Sequence, residues 1–313
     1  MRAPYYESRY IRANHPDRAQ AIWLRETLLL ADHGASSADV WVMLFDPEGD
    51  GNRAVKQPFA VEEADFRSEP WTVRIGDTFL DDRHARGSLP GHRTASWDLV
   101  ITSVGEPVKL LTDRQYAARF PSAKTSVRSP LARFDGYVVV DDLRFELDGW
   151  TGSVNHNWGR RHTPEYAFGQ VCGFDDAPAS SLEIVTARAG VGRLTLPPMT
   201  LLVFRHEGRE FAVRSVPAAR RTAGRYEPFH WSFSARFDDL LLDGEISCRR
   251  GDVIGLTYTD TNGEAKYCYN SAVATCRLTL SGSAFGSTEL TATRRAMLEL
   301  LGDIQYGKLP LLA

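Results

Sequence analysis

Short apolar runs recur along the chain with polar residues interleaved at every second position, which is the period of a half-buried β-strand. Residues 40–45, 71–75, 97–101, 137–140, 182–186, 200–204, 231–237 and 253–259 are rich in β-branched and aromatic side chains and are separated by Gly, Pro, Asn and Asp turn signals. That spacing predicts an antiparallel all-β protein. One helix is expected, at the C-terminal end. Ser287 can cap it, Glu289 falls in its first turn, and Leu290, Met297, Leu298 and Leu301 form an apolar stripe before Gly302.

The pattern also repeats. Residues 26–31 and then 41–49 resemble 183–188 and then 200–208; residues 97–101 resemble 231–235, and 144–149 resemble 277–282. Matches in the same order at similar spacing point to two related β-lobes. The expected division is 1–150 for the N-terminal lobe and 151–313 for the C-terminal lobe with its terminal helix.

Composition narrows the function. The 313 residues are 43% apolar and 25% charged with a formal net charge of −3, which lacks the basic excess that nucleic acid requires. The N-terminus has no apolar signal region, and the apolar run 21–31 is broken by Arg25 and Glu26, so neither a leader nor a membrane span is expected. Cys172, Cys248, Cys268 and Cys276 show no metal-site spacing and read as reduced thiols of a cytoplasmic protein. No metal, nucleotide, flavin or other cofactor is expected. No G-x-S-x-G elbow is present for nucleophilic catalysis.

The densest chemistry lies at 152–159, Gly-Ser-Val-Asn-His-Asn-Trp-Gly, and at 165–172 beyond a Thr-Pro turn. Alternation places Val154, His156 and Trp158 on one face of the first segment and Asn155 and Asn157 on the other, and it places Tyr166, Phe168 and Gln170 together on the second. If the two segments formed one hairpin, Trp158 would lie near Tyr166 and His156 near Phe168. Buried polar groups are costly unless paired, so this concentration favours a ligand site over a plain core. Trp158, Tyr166, His156, Asn155 and Asn157 are all competent hydrogen-bond donors. From the second lobe His230 and Trp231 are candidates to reach the ligand. Arg160, Arg161 and His162 at the turn are candidates for an anionic ligand group. The Arg- and Gly-rich stretch 81–93, with His84 and His92, reads as a long loop.

Residues 6–16, residues 21–25 and the 152–159 motif together resemble the lipocalin-like superfamily of acyclic carotenoid 1,2-hydratases (hydroxyneurosporene synthases), whose wider relatives include tocopherol cyclases and lipocalin-like Diels–Alderases. The resemblance implies two lipocalin-like β-barrel or sandwich lobes that hold an apolar ligand. It further implies an enzyme that hydrates or cyclises a polyene, terpenoid or polyketide-like substrate without a redox cofactor. The alternative is a non-catalytic lipocalin-like carrier. Protonating an isolated alkene needs a strong positioned acid, and an imidazolium is too weak for it. A carboxyl of raised pKa serves better, and Glu7, Glu26 and Glu183 lie in or beside apolar strands. Ring closure needs less: a folded substrate and a donor to its carbonyl. The expected catalytic residues are His156, Trp158, Tyr166 and Glu7; the expected substrate contacts are Asn155, Asn157, Phe168, Gln170, His230 and Trp231.

Overall fold

The computed structural model describes residues 4–188, 190–191, 194–195, 197–215, 217–303 and 305, with the side chains of 190–195 left aside. Residues 306–313 of the expected second lobe lie outside the described residues. The chain is nearly all β, mostly in two nearly closed antiparallel barrel-like sheets. The first sheet runs, in spatial order, through Arg53–Phe59, Ser37–Phe45, Ala21–Leu30, Tyr5–Asn14, Leu143–Gly159, Ala123–Val140, Ala95–Thr102, His84–Leu89, Thr78–Asp81, Trp71–Ile75 and Ala64–Ser68. The second runs through Arg209–Val213, Met199–His206, Ser181–Arg188, Glu165–Cys172, Gly286–Gly302, Ala265–Gly282, Leu241–Ser247, His230–Arg236 and Thr222–Glu227.

The two orders match strand for strand over the whole second sheet. Each contains a long hairpin, Ala123–Val140 with Leu143–Gly159 and Ala265–Gly282 with Gly286–Gly302, and each hairpin carries register shifts that bend it. In the sequence repeat, 26–31 with 183–188 and 41–49 with 200–208 join equivalent strands. The other two matches join strands one hairpin arm out of step. The chain passes between sheets after Gly159 and before Glu165, so the expected division at 150/151 falls inside one strand.

Two expectations are corrected here. The segment expected as a terminal helix is the strand Gly286–Gly302. In its first half Leu290 and Ala292 are buried and alternate with the less buried Thr291 and Thr293. In its second half both faces are covered. Ala296, Leu298 and Leu300 point into the second barrel, while Met297 and Leu301 pack between the lobes. A strand buried on both sides reads as an unbroken apolar run, which periodicity cannot tell from a helix. The expected loop 81–93 likewise contains the strand His84–Leu89.

Each barrel has its own apolar interior. Ile11, Leu24, Val42, Trp97 and Phe134 belong to the first, and Ile184, Phe204, Trp231, Leu242 and Leu298 to the second. The lobes pack through the outward faces of their sheets. Tyr10, Trp23, Trp41, Met43 and Phe45 meet Ile254, Leu256, Tyr258, Cys268 and Val273. Among the described residues, no helix is long and apolar enough to cross a membrane.

Candidate functional site

The 152–159 segment is the last part of the strand Leu143–Gly159, and it lies between Tyr5–Asn14 and Ala123–Val140. Its glycines have a steric reason. A Cβ at Gly152 would sit 1.8 Å from the carbonyl oxygen of Arg12, and one at Gly159 would sit 2.1 Å from that of Ser122. The segment does not form a hairpin with 165–172. That strand belongs to the other sheet, paired with Ser181–Arg188 and Gly286–Gly302. Trp158 and His156 are therefore not the cross-strand neighbours of Tyr166 and Phe168.

The predicted alternation holds, and it separates the candidates into two environments. Val154, His156 and Trp158 share register with Ile11, Arg9 and Glu7, on the face whose Ile11 and Val154 belong to the first barrel's core. His156 stacks on Trp158 with ring centroids 4.4 Å apart, and Trp158 stacks on Tyr116 at 5.8 Å. Glu7 Oε1 lies 2.9 Å from His156 Nε2 and accepts from Arg9 Nε at 2.9 Å, while Oε2 accepts from the Tyr5 hydroxyl at 2.7 Å. Burial alone would raise the Glu7 carboxyl, but His156, Arg9 and Tyr5 outweigh it and hold it at about 2. Glu7 is thus an ionised acceptor at neutral pH and does not serve as the raised-pKa acid. Burial lowers the His156 imidazole despite the pull of Glu7.

Ser153, Asn155 and Asn157 take the opposite face, toward the second lobe. Here Arg12 organises a buried polar network. Its Nη1 donates to Asn14 Oδ1 at 2.8 Å, and its Nη2 donates to the Gln170 carbonyl at 3.2 Å and to Cys172 Sγ at 3.1 Å. Gln170 Nε2 donates to Asn155 Oδ1 at 2.9 Å and to Glu183 Oε1 at 2.7 Å, so residues of both lobes share one set of bonds. Burial pushes the Glu183 carboxyl up to about 8, against the Gln170 bond and the Arg12 charge. Burial does the same to Glu26, which also reaches about 8. Each has one carboxyl oxygen, Oε2, without a hydrogen-bond partner among the described residues.

Beside this network the lobes leave a cavity of about 200 Å³. Tyr6, Tyr10, Trp23, Arg25 and Asn157 line it from the first lobe, and Tyr166, Phe168, Tyr258 and Glu299 from the second. Val185, Ala187, Met199 and Leu201 form an aliphatic wall, and Leu110, Leu111, Phe120 and Pro121 come from the connection around the short helix Asp113–Ala117. The Tyr166 hydroxyl donates to Glu299 Oε1, and Asn270 Nδ2 donates to Glu299 Oε2 at 2.8 Å. Burial, reinforced by Glu299, raises the Tyr166 phenol well above its ordinary value. Asn157 Oδ1 accepts from Thr125 Oγ1 at 2.6 Å. The His162 ring stacks on Tyr6 at 3.9 Å, and burial pushes its imidazole down to about 4, so it is neutral at pH 7 and cannot serve as a cation.

Of the expected site residues, Tyr166, Phe168 and Asn157 line this cavity, Asn155 and Gln170 lie in the adjoining network, and His156, Trp158 and Glu7 line up inside the first barrel. Trp231 is fully buried in the core of the second barrel. His230 is partly exposed, 3.4 Å from Glu245. Arg160 and Arg161 are exposed. The sequence reading missed Tyr10, Arg25, Tyr258, Asn270 and Glu299. Tyr10 and Arg25 lie in segments that carry the family resemblance, while Glu299 was hidden in the run taken for a helix.

No protein-family model matches the chain. Uncharacterized proteins of two Mycobacterium tuberculosis strains, CDC 1551 / Oshkosh and H37Rv, are 24% identical to it over 286 residues, which is 87% of this chain and 80% of theirs. Among solved structures, kievitone hydratase from Nectria haematococca superposes with a TM-score of 0.59 at 10% identity, covering 96% of this chain and 89% of that one. A Nitrosomonas europaea protein provisionally named AttH superposes with a TM-score of 0.57 at 11% identity, covering 97% and 93%. These likenesses establish the fold, a lipocalin-like architecture of two barrel-like lobes.

Proposed function

We propose that the protein is a cofactor-independent enzyme of the hydratase or cyclase type, and that its hydrophobic polyene, terpenoid or polyketide-like substrate binds between the lobes. The observation that carries this reading is the Tyr166–Glu299–Asn270 arrangement on the wall of an otherwise largely apolar cavity. A carrier needs only apolar walls. A phenol bonded to a carboxylate that is held by a further amide is the equipment for moving a proton. The fold shared with kievitone hydratase supports the same class.

The steps balance without a cofactor. Glu299 takes a proton from water as the oxygen bonds to one alkene carbon; Tyr166 gives its proton to the other carbon and recovers one from Glu299 along their hydrogen bond. Burial keeps the Tyr166 phenol a weak acid. A weak acid suits an alkene polarised by a conjugated carbonyl better than an isolated one. At about 200 Å³ the cavity lies below the common range for drug-sized ligands, about 300–1,000 Å³, which favours a compact substrate over a long carotenoid.

The test begins with mass spectrometry of the natively purified protein to identify the molecule that accompanies it. Incubation of that molecule with enzyme in heavy-oxygen water should yield a product that has gained one labelled water, or an isomer if the reaction is ring closure. Tyr166→Phe should lower the turnover on the order of 10²-fold with little change in affinity. Recovery of the molecule unchanged would leave the protein a carrier.

A further inference from the structure

Arg25 is only 7% exposed and lines the inter-lobe cavity. Its Nε donates to Ser8 Oγ at 2.6 Å, and its guanidinium lies over the Tyr258 ring, 4.5 Å from the centroid, with Trp23 at 5.6 Å. Among the described residues neither terminal nitrogen has a hydrogen-bond or ion-pair partner. Glu299 is near enough to act on it electrostatically, but both of that carboxylate's oxygens are occupied, by Tyr166 and Asn270. The contrast with Arg12 is direct, because Arg12, fully buried, spends its donors on Gln170, Asn14 and Cys172.

A guanidinium cannot escape burial by losing its proton, so an unpaired one inside a protein is retained at a cost. The two terminal nitrogens form the planar fork that matches a carboxylate, and the Ser8 bond and the Tyr258 face fix its orientation in advance. We propose that Arg25 is the receptor for a carboxylate of the ligand, so that the cavity takes a compact apolar carboxylic acid. The inference rests on the cavity being the ligand site and goes beyond it by naming the ligand's charged group.

Phenylbutanoate and its neutral isostere phenylbutanamide test it, each titrated calorimetrically into the full chain at neutral pH. The wild type should bind the acid about ten- to a hundred-fold more tightly than the amide, as expected for hydrogen bonds to a charged group. Arg25→Met should bring the acid down to about the level of the amide in the same variant, so that the preference disappears. Arg25→Lys, which keeps the charge and loses the fork, should keep part of the preference, and together with the wild-type ratio it carries the test if the methionine variant does not fold. Equal affinity for both probes in the wild type, or an acid preference that survives Arg25→Met, would overturn the proposal while leaving the cavity as the ligand site. Binding of neither probe would overturn both.

Discussion

Arg12→Met is expected to lower the free energy of unfolding by about 3–5 kcal/mol, although Arg12 does not line the cavity between the lobes. The side chain is fully buried between the lobes and donates to Asn14, to the backbone and side chain of Gln170, and to Cys172. Methionine fills much of the volume but supplies none of these donors, and each buried acceptor left unpaired costs about 1–3 kcal/mol. Ser153 still serves Gln170 Oε1, which limits the total. Urea titration should show the midpoint falling with the slope unchanged, whereas the exposed Arg160→Met should stay within about 0.5 kcal/mol of the wild type. A loss below about 1 kcal/mol for Arg12→Met would mean that the network contributes little to the joining of the lobes.

Stability should also fall as the pH rises from about 6.5 to 8. Glu26 and Glu183 ionise ordinarily at 4.5 but reach about 8 in the folded protein, so between those values the folded chain holds two protons that the unfolded chain has released. Their contribution is therefore complete below 4.5 and is lost as the pH climbs through the folded value. Each group has a limiting slope of about 1.4 kcal/mol per pH unit, which makes the combined effect several kcal/mol. Glu7, lowered to about 2, acts in the opposite sense and only in acid, where its contribution is lost as the pH falls from 4.5. Above about pH 6.5, where the opposing contribution of the depressed imidazoles of His162 and His156 has ended, Glu183→Gln should remove about half of the slope up to pH 8, and adding Glu26→Gln should remove most of the rest. Denaturant titrations across that range check it. A wild-type profile that is flat or rising would contradict the neutral, buried state assigned to these carboxyls.

The fold was legible in the sequence wherever one face of a strand meets the core and the other meets solvent. Trp71–Ile75 is the case in point, since its bounds and its alternation both follow from the pattern. Legibility failed where both faces are buried. Between the lobes, the second half of Gly286–Gly302 loses its alternation, and Glu299 disappears into an apolar run. The candidate site shows the same division. Alternation correctly separated His156 and Trp158 from Asn155 and Asn157, but the period of a strand does not say which face meets the partner lobe. That depends on how the two sheets pack, and it is the asparagine face that turns to the cavity. The hairpin expected across Gly159 and Glu165 failed for a related reason. A short connection between two strands looks the same in sequence whether it closes a hairpin or carries the chain from one barrel to the next.

Ligand should bind between the lobes and not inside the first barrel. Binding of phenylbutanamide, which carries no charge of its own, tests this most directly when the wild type is compared with Ala187→Trp and Trp158→Ala. Ala187 faces Tyr166 across paired strands on the cavity wall, so an indole there should occupy the space a ligand needs. Trp158 stacks on His156 inside the first barrel and does not line the cavity. Ala187→Trp should abolish binding with the fold intact by circular dichroism, while Trp158→Ala should bind within about two-fold of the wild type. Binding that persists in Ala187→Trp and is lost in Trp158→Ala would place the ligand in the first barrel and contradict it.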